Sequence, residues 1–150
     1  MELKEDVFIP APRERVYDAL NDPEVLRASI PGCEELEKTG ENEFAAKVTL
    51  KIGPVKARFA GTVTLHPEAP PEKFSLDGQG NGGAAGFAKG GAVVTLDEED
   101  GGTRLSYDAR AEIGGKLAQL GSRLVQGTAK KLAAKFFASF ADHVAQETSA

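Results

Sequence analysis

The chain has 150 residues, 41% of them hydrophobic and 27% charged, which bounds it to one domain with an ordinary core. Its formal net charge of -5 excludes general nucleic-acid binding through a basic surface, and its one cysteine, Cys33, excludes an internal disulfide and favours a reducing cytoplasm. Residues 1–6 are too charged for a signal peptide, and no stretch approaches the roughly 20 apolar residues of a membrane span, so any membrane contact is expected to be peripheral.

Leu3, Glu5, Val7 and Ile9 alternate with Lys4, Asp6 and Phe8, the period of a first strand that Pro10 and Pro12 end. Residues 12–20 suit a short helix with Pro12 near its first turn and Val16, Ala19 and Leu20 on its apolar side. Asn21 or Asp22 caps a second helix, with Pro23 at its first position and Val25, Leu26 and Ile30 facing inward; Pro31-Gly32 stops it.

From residue 33 the period is two. Residues 33–38 form a weak strand, and Gly40-Glu41-Asn42 is a turn. Phe44, Ala46, Val48, Leu50 and Ile52 alternate, Gly53-Pro54 turns the chain, and Val55, Ala57, Phe59, Gly61, Val63 and Leu65 alternate again. Pro67, Pro70 and Pro71 mark a loop. Residues 73–80, 86–97 and 103–113 are three more strands, with Asp100-Gly101-Gly102 as a hairpin turn. After Gly114-Gly115, Leu117, Leu120, Leu124, Val125, Leu132, Phe136, Phe140 and Val144 recur at helical steps, with a gap across 126–131. This predicts one helix over about 115–145, roughly 45 Å long, and a loose tail over 146–150.

The order is strand, two short helices, six strands, long helix. The strands must bury an apolar face, and the last helix is the one large apolar partner. The expected fold is α+β: a curved antiparallel sheet of about seven strands around a long C-terminal helix, a helix-grip domain over 1–145. A long helix across a bent sheet leaves a space, and an apolar ligand is expected to fill it. Its expected lining is Leu26, Ile30, Val48, Leu50, Phe59, Phe87, Tyr107, Leu120, Gly121, Leu124 and Phe136. Phe87 needs a glycine bulge to turn inward, because alternation sets it opposite Ala88.

Gly78-Gln79-Gly80-Asn81-Gly82-Gly83 formally satisfies G-x-G-x-x-G, but a dinucleotide site needs a following helix to hold the pyrophosphate, and here the chain runs on into a strand. These glycines read either as bulges and sheet curvature or as positions that remove volume for a ligand. Lys89, among them, reads as outward. His66, His143 and Cys33 are scattered, without the spacing of a zinc site or of a nucleophile and its base. No metal, cofactor or catalytic residue is therefore expected. Tyr17 and Tyr107 read as core tyrosines with satisfied hydroxyls.

Charge is uneven. Residues 114–145 carry five cations against Asp142, a net of +4, on a body of -8 over residues 1–113. Lys116, Arg123 and Lys130 repeat every seven residues on one side, which suits a solvated face or a dock for an acidic protein or anionic lipid.

Four segments, in order along the chain, resemble one family. They are Leu20-Asn21-Asp22-Pro23-Glu24-Val25-Leu26 through Ile30-Pro31-Gly32-Cys33-Glu34; Gly53-Pro54-Val55-Lys56-Ala57-Arg58-Phe59-Ala60-Gly61; Gly86-Phe87-Ala88-Lys89-Gly90; and Gly114-Gly115-Lys116-Leu117-Ala118-Gln119-Leu120-Gly121-Ser122-Arg123. Together they resemble the carbon monoxide dehydrogenase CoxG family of the START/Bet v1-like (SRPBCC) superfamily. The resemblance implies a helix-grip fold with a deep apolar cavity. It also implies an accessory role to molybdenum-containing hydroxylases of the aerobic carbon monoxide dehydrogenase type: recruiting that enzyme to the membrane, or carrying an isoprenoid quinone such as menaquinone, or a lipid, to or from it. A cytoplasmic place at the inner face of the cell membrane follows from that role. Some members extend beyond the last helix by a variable tail that reaches the membrane, whereas this sequence stops at Ala150. Two rival readings stand beside the carrier. One is an assembly factor with no functional cavity. The other is a cyclase- or hydrolase-like enzyme, which needs a pocket acid or base of shifted pKa.

Overall fold

The alternation from Leu3 to Ile9 becomes β1 (Glu2–Ile9), and Pro12 stands as N-cap to α1 (Arg13–Leu20). Asp22 caps α2 (Pro23–Ser29), its carboxylate accepting the Glu24 amide at 2.9 Å, with Pro23 in the first turn where a missing N–H costs nothing. Six strands follow: β2 (Cys33–Gly40), β3 (Glu43–Ile52), β4 (Val55–Ala69), β5 (Lys73–Asn81), β6 (Phe87–Glu99) and β7 (Gly102–Gly114). The chain then forms α3 (Lys116–Gln119) and α4 (Ser122–Ser149). The structure is a computed structural model, and it describes the backbone of residues 1–149 and side chains through residue 145. The loose tail expected over 146–150 is helical in its backbone as far as Ser149, where α4 ends, and residue 150 lies outside the described residues.

All seven strands join one antiparallel sheet in the order β1-β7-β6-β5-β4-β3-β2. Consecutive strands pair as hairpins, and β1 crosses to β7, which places α1 and α2 between the two edge strands of the sheet. The architecture is the expected α+β helix grip.

Two local expectations are corrected. The single helix over about 115–145 is broken at Gly121, whose φ of +92° lies where L side chains rarely go; α3 ends before it and α4 starts after it. The proline loop is also shorter than expected. β4 continues through Pro67, which lies opposite Phe74, and the register shifts directly after it, so the missing N–H falls at a bulge.

Burial is graded along the inner face. Ile9, Leu96, Leu105, Phe140 and Val144 are almost wholly buried and pack with Val16, Val25, Phe44 and Phe74. This core lies where α1, α2 and the C-terminal half of α4 meet the sheet. The N-terminal half of α4 behaves differently: Val125, Leu132 and Phe136 are half-buried and Leu124 is 39% exposed.

Candidate functional site

The strand registers stack the inner-face residues in rows. One row runs Phe74, Val94, Tyr107, Glu5, and the next runs Leu65, Leu76, Ala92, Ala109, Leu3. Beyond these come Phe44, Val63, Gly78, Gly90, Ala111, and then Leu36, Ala46, Gly61, Gly80, Ala88, Ile113. Phe74 and Val94 of the first row belong to the filled core, with Tyr107 packed beside them and Glu5 exposed at the β1 edge. Towards the β3–β4 turn the centre of the sheet carries only glycine and alanine, so side-chain volume disappears beneath the first half of α4.

The glycines of these rows do two different jobs. A β-carbon on Gly90 would stand 2.0 Å from the Arg110 carbonyl oxygen, and one on Gly61 would stand 2.8 Å from the Gln79 oxygen. Those positions are glycine because the neighbouring strand's backbone comes too close for a side chain. A β-carbon on Gly80 would meet nothing within 4 Å. There the inner face opens into space.

Helix α4 closes this space from above. Leu124 lies over Gly53 at the β3–β4 turn, while Phe140 and Val144 seal the core at the other end. Val48, Leu50 and Phe59 stand half-buried along the β3–β4 side, and Phe59 lies against Gly82. The result is a trough of half-covered apolar surface with a glycine and alanine floor. Such surface gains free energy from any apolar occupant, in proportion to the area removed from water.

One polar pair stands at the β1 edge of this face, where Glu5 is exposed. Tyr107 donates its hydroxyl to Glu5 Oε2 at 3.3 Å, and its ring stacks on Phe137 with centroids 5.5 Å apart. Burial first, then the charge and hydrogen bond of Glu5, push the Tyr107 phenol up to about 12. Glu5 escaped the candidate residues drawn from the sequence. Its signal was present: a glutamate at an apolar position of the β1 alternation.

The other expected lining residues separate. Leu26 packs on the filled core. Ile30 borders a groove of about 490 Å³ between α2 and α4, together with Cys33 and Lys135. Tyr107 and Phe136 stand where the trough meets the core. Leu120 and Gly121 form the α3–α4 break, and Gly121 is exposed with open space around it, so it walls nothing. Phe87 is a correction. Despite the positive φ of Gly86, β6 keeps its alternation, and Phe87 points away from the trough, 41% exposed, on the outer face. There it borders an open hollow of about 930 Å³ rimmed by Glu35, Lys47, Thr62, Gln79 and the outward Lys89, whose lining also takes in Ala46, Gly61, Gly80 and Ala88 of the small-residue row. Charged side chains rim that hollow, while its base is the thin glycine and alanine row itself.

The basic positions are also rearranged. Arg123 and Lys130 are exposed on α4, seven residues apart, but Lys116 is on α3, across the Gly121 break, so the three do not form one stripe. The remaining reactive side chains stay apart. His66 pairs with Asp77 at 2.6 Å on the outer face, His143 Nδ1 contacts the Ser139 carbonyl, and the Cys33 thiol donates to the Glu35 carbonyl with its pKa raised mainly by burial. Among the described residues no three metal-binding side chains gather. The G-x-G-x-x-G run leads into one 3-10 turn, Gly83–Ala85, and then β6.

The family model for the CoxG protein of carbon monoxide dehydrogenase matches residues 6–145. A conserved protein from Geobacillus kaustophilus is 31% identical and superposes with a TM-score of 0.90, over 97% of this chain and 96% of that one. A protein from Thermus thermophilus, 19% identical, gives 0.75 over 98% and 99%. The Zhui aromatase/cyclase from a Streptomyces species, 10% identical, gives 0.69 over 99% and 95%. At those lower identities the likeness concerns the fold alone. Among curated proteins none is significantly similar in sequence.

Proposed function

The chain belongs to the carbon monoxide dehydrogenase CoxG family, and on that premise we propose that it is a non-catalytic carrier of a hydrophobic small molecule, an isoprenoid quinone or a lipid. In this reading it serves a molybdenum-containing hydroxylase of the aerobic carbon monoxide dehydrogenase type and links it to the membrane quinone pool. The observation that supports the reading is the trough beneath the first half of α4, apolar, half-covered and floored by Gly80, Ala88 and Ala46. An alkyl or isoprenoid tail gains about 0.8 kcal/mol per methylene buried there, so binding needs few polar contacts. Carriage also fits a chain in which no described helix is long and apolar enough to cross a membrane. The exposed Arg123 and Lys130 supply the docking charge for an acidic partner or an anionic surface.

The test is extraction of the gently purified protein with organic solvent, followed by mass spectrometry. A stoichiometric quinone or lipid is the expected result. An empty protein that also takes up no added quinone overturns the carrier and leaves an assembly factor that works through its surface.

A further inference from the structure

We infer that the groove between α2 and α4 binds a phosphate group, the dianionic end of a phosphate monoester. The site is separate from the trough and independent of the carrier reading. The groove holds about 490 Å³ because small residues stand on both walls, Ala28 and Gly32 on the α2 side and Ala138 and Ser139 on α4. Two exposed cations rim it, Arg27 from the last turn of α2 and Lys135 from α4. Among the described residues neither is in an ion pair. The charge of Arg27 reaches the lining: burial raises the Cys33 thiol, and the guanidinium is the next influence, pulling it back down. The Glu34 carboxylate, next to Cys33 in the chain, is already engaged by Arg58 and Thr49.

The base of the groove supplies a second, independent observation. Ser29 belongs to the lining and is 2% exposed, and its buried hydroxyl has no hydrogen-bond partner among the described residues. A serine in the last turn of a helix ordinarily bonds back to the carbonyl four residues before it, here that of Val25, and Ser29 does not. Buried polar groups are paired in folded proteins, and one left unpaired costs free energy that an incoming acceptor returns. The turn after α2 adds a further donor. It closes through the Cys33 amide, which donates to the Ile30 carbonyl at 3.2 Å, so the Gly32 N–H stays outside that bond.

Charge selects the kind of acceptor. A phosphate monoester carries about -1.5 to -2 at neutral pH and matches two unpaired cations. A carboxylate has one charge and two oxygens, and would leave one cation unmatched. The carbonyl end of α2 opposes an anion, but roughly half a charge from a helix of seven residues is outweighed by two full ones. Lys135 is also distinct from Arg123 and Lys130. At 3.6 residues per turn it projects roughly 120–140° around α4 from them.

Titration with glycerol 3-phosphate at constant ionic strength, followed by nuclear magnetic resonance through the amides of Ser29, Gly32 and Cys33, tests this. Saturable shifts centred on those amides are expected, with acetate binding roughly tenfold more weakly or less still. Arg27→Gln and Lys135→Gln change exposed side chains, and each should weaken phosphate binding roughly tenfold, the size of a hydrogen bond to a charged group. Ser29→Ala should weaken it about threefold or more while the melting temperature holds or rises, because the change deletes an unpaired buried hydroxyl. Co-sedimentation with phosphatidic acid vesicles identifies the source. Sedimentation that needs both Arg27 and Lys135 assigns the site to a lipid head group; otherwise, bound glycerol 3-phosphate assigns it to a soluble phosphate. Absence of saturable shifts at those amides, equal binding of acetate, or unchanged affinity in the variants overturns the inference and leaves the carrier standing.

Discussion

Leu124, in the first turn of α4, lies over Gly53 at the β3–β4 turn, its Cδ2 2.8 Å from where a β-carbon on Gly53 would stand. This contact clamps the open end of the trough. Gly53 has a φ of +59°, so Gly53→Ala brings backbone strain of about 1–2 kcal/mol and also pushes Leu124 off its seat. Chemical denaturation should show that loss. Leu124→Ala removes a half-exposed side chain and should cost less stability, yet it unlatches the helix. Faster exchange of a bound fluorescent fatty probe, with little change in denaturation midpoint, is the expected outcome. Unchanged exchange would show that the clamp does not gate the trough.

Gly80 and Gly90 share the inner face and make opposite predictions. Gly80→Leu fills open space, so the fold should persist while apolar ligand binding is lost. Gly90→Ala drives a methyl group into the Arg110 carbonyl and should cost about 1–3 kcal/mol or more. Paired melting curves and ligand content separate the two. A similar loss of stability in both variants would mean that the space above Gly80 is not a cavity. Gly121→Leu, by contrast, would report only the strain of a positive φ in an exposed turn.

Tyr107 should titrate late. Its phenol is raised from 10.0 to about 12, by burial first and by Glu5 second. A group whose folded pKa is raised contributes stability that is complete below the unfolded value and is lost as pH rises through the folded one, here between about 10 and 12. An ultraviolet phenolate titration should show the late phase disappear in Tyr107→Phe and move down in Glu5→Gln. A late phase unmoved by Glu5→Gln would assign the whole shift to burial.

Docking through α4 should depend on salt, because exposed charges are screened beyond about 8 Å at physiological ionic strength. Arg123→Glu with Lys130→Glu should weaken binding to an acidic partner or to anionic vesicles, measured by co-sedimentation. Adding Lys116→Glu should change little more, since Lys116 is on α3 beyond the break. Full binding by the double variant would make those positions an ordinary solvated face.

Much of this was legible in the sequence, for a definite reason. A strand with one buried face must repeat every second residue, so the alternation from Phe44 to Ile52 and from Val55 to Leu65 locates two paired strands and the turn at Gly53-Pro54 without any coordinates. The same rule set Phe87 outward, against the bulge that would have turned it in, and it placed Glu5 on the apolar side of β1. The amphipathic period from Leu117 to Val144 required a helix over that sheet. It did not reveal the break at Gly121. Leu117 is buried while Leu124 reaches across to Gly53, and this divergence of α3 from α4 depends on partners distant in the chain. Nor does sequence separate Gly80 from Gly90. The two have the same parity and similar neighbours, yet one faces empty space and the other a carbonyl of β7. Room for a ligand depends on how closely neighbouring backbones approach, and that distance is set only when the whole sheet coils against α4.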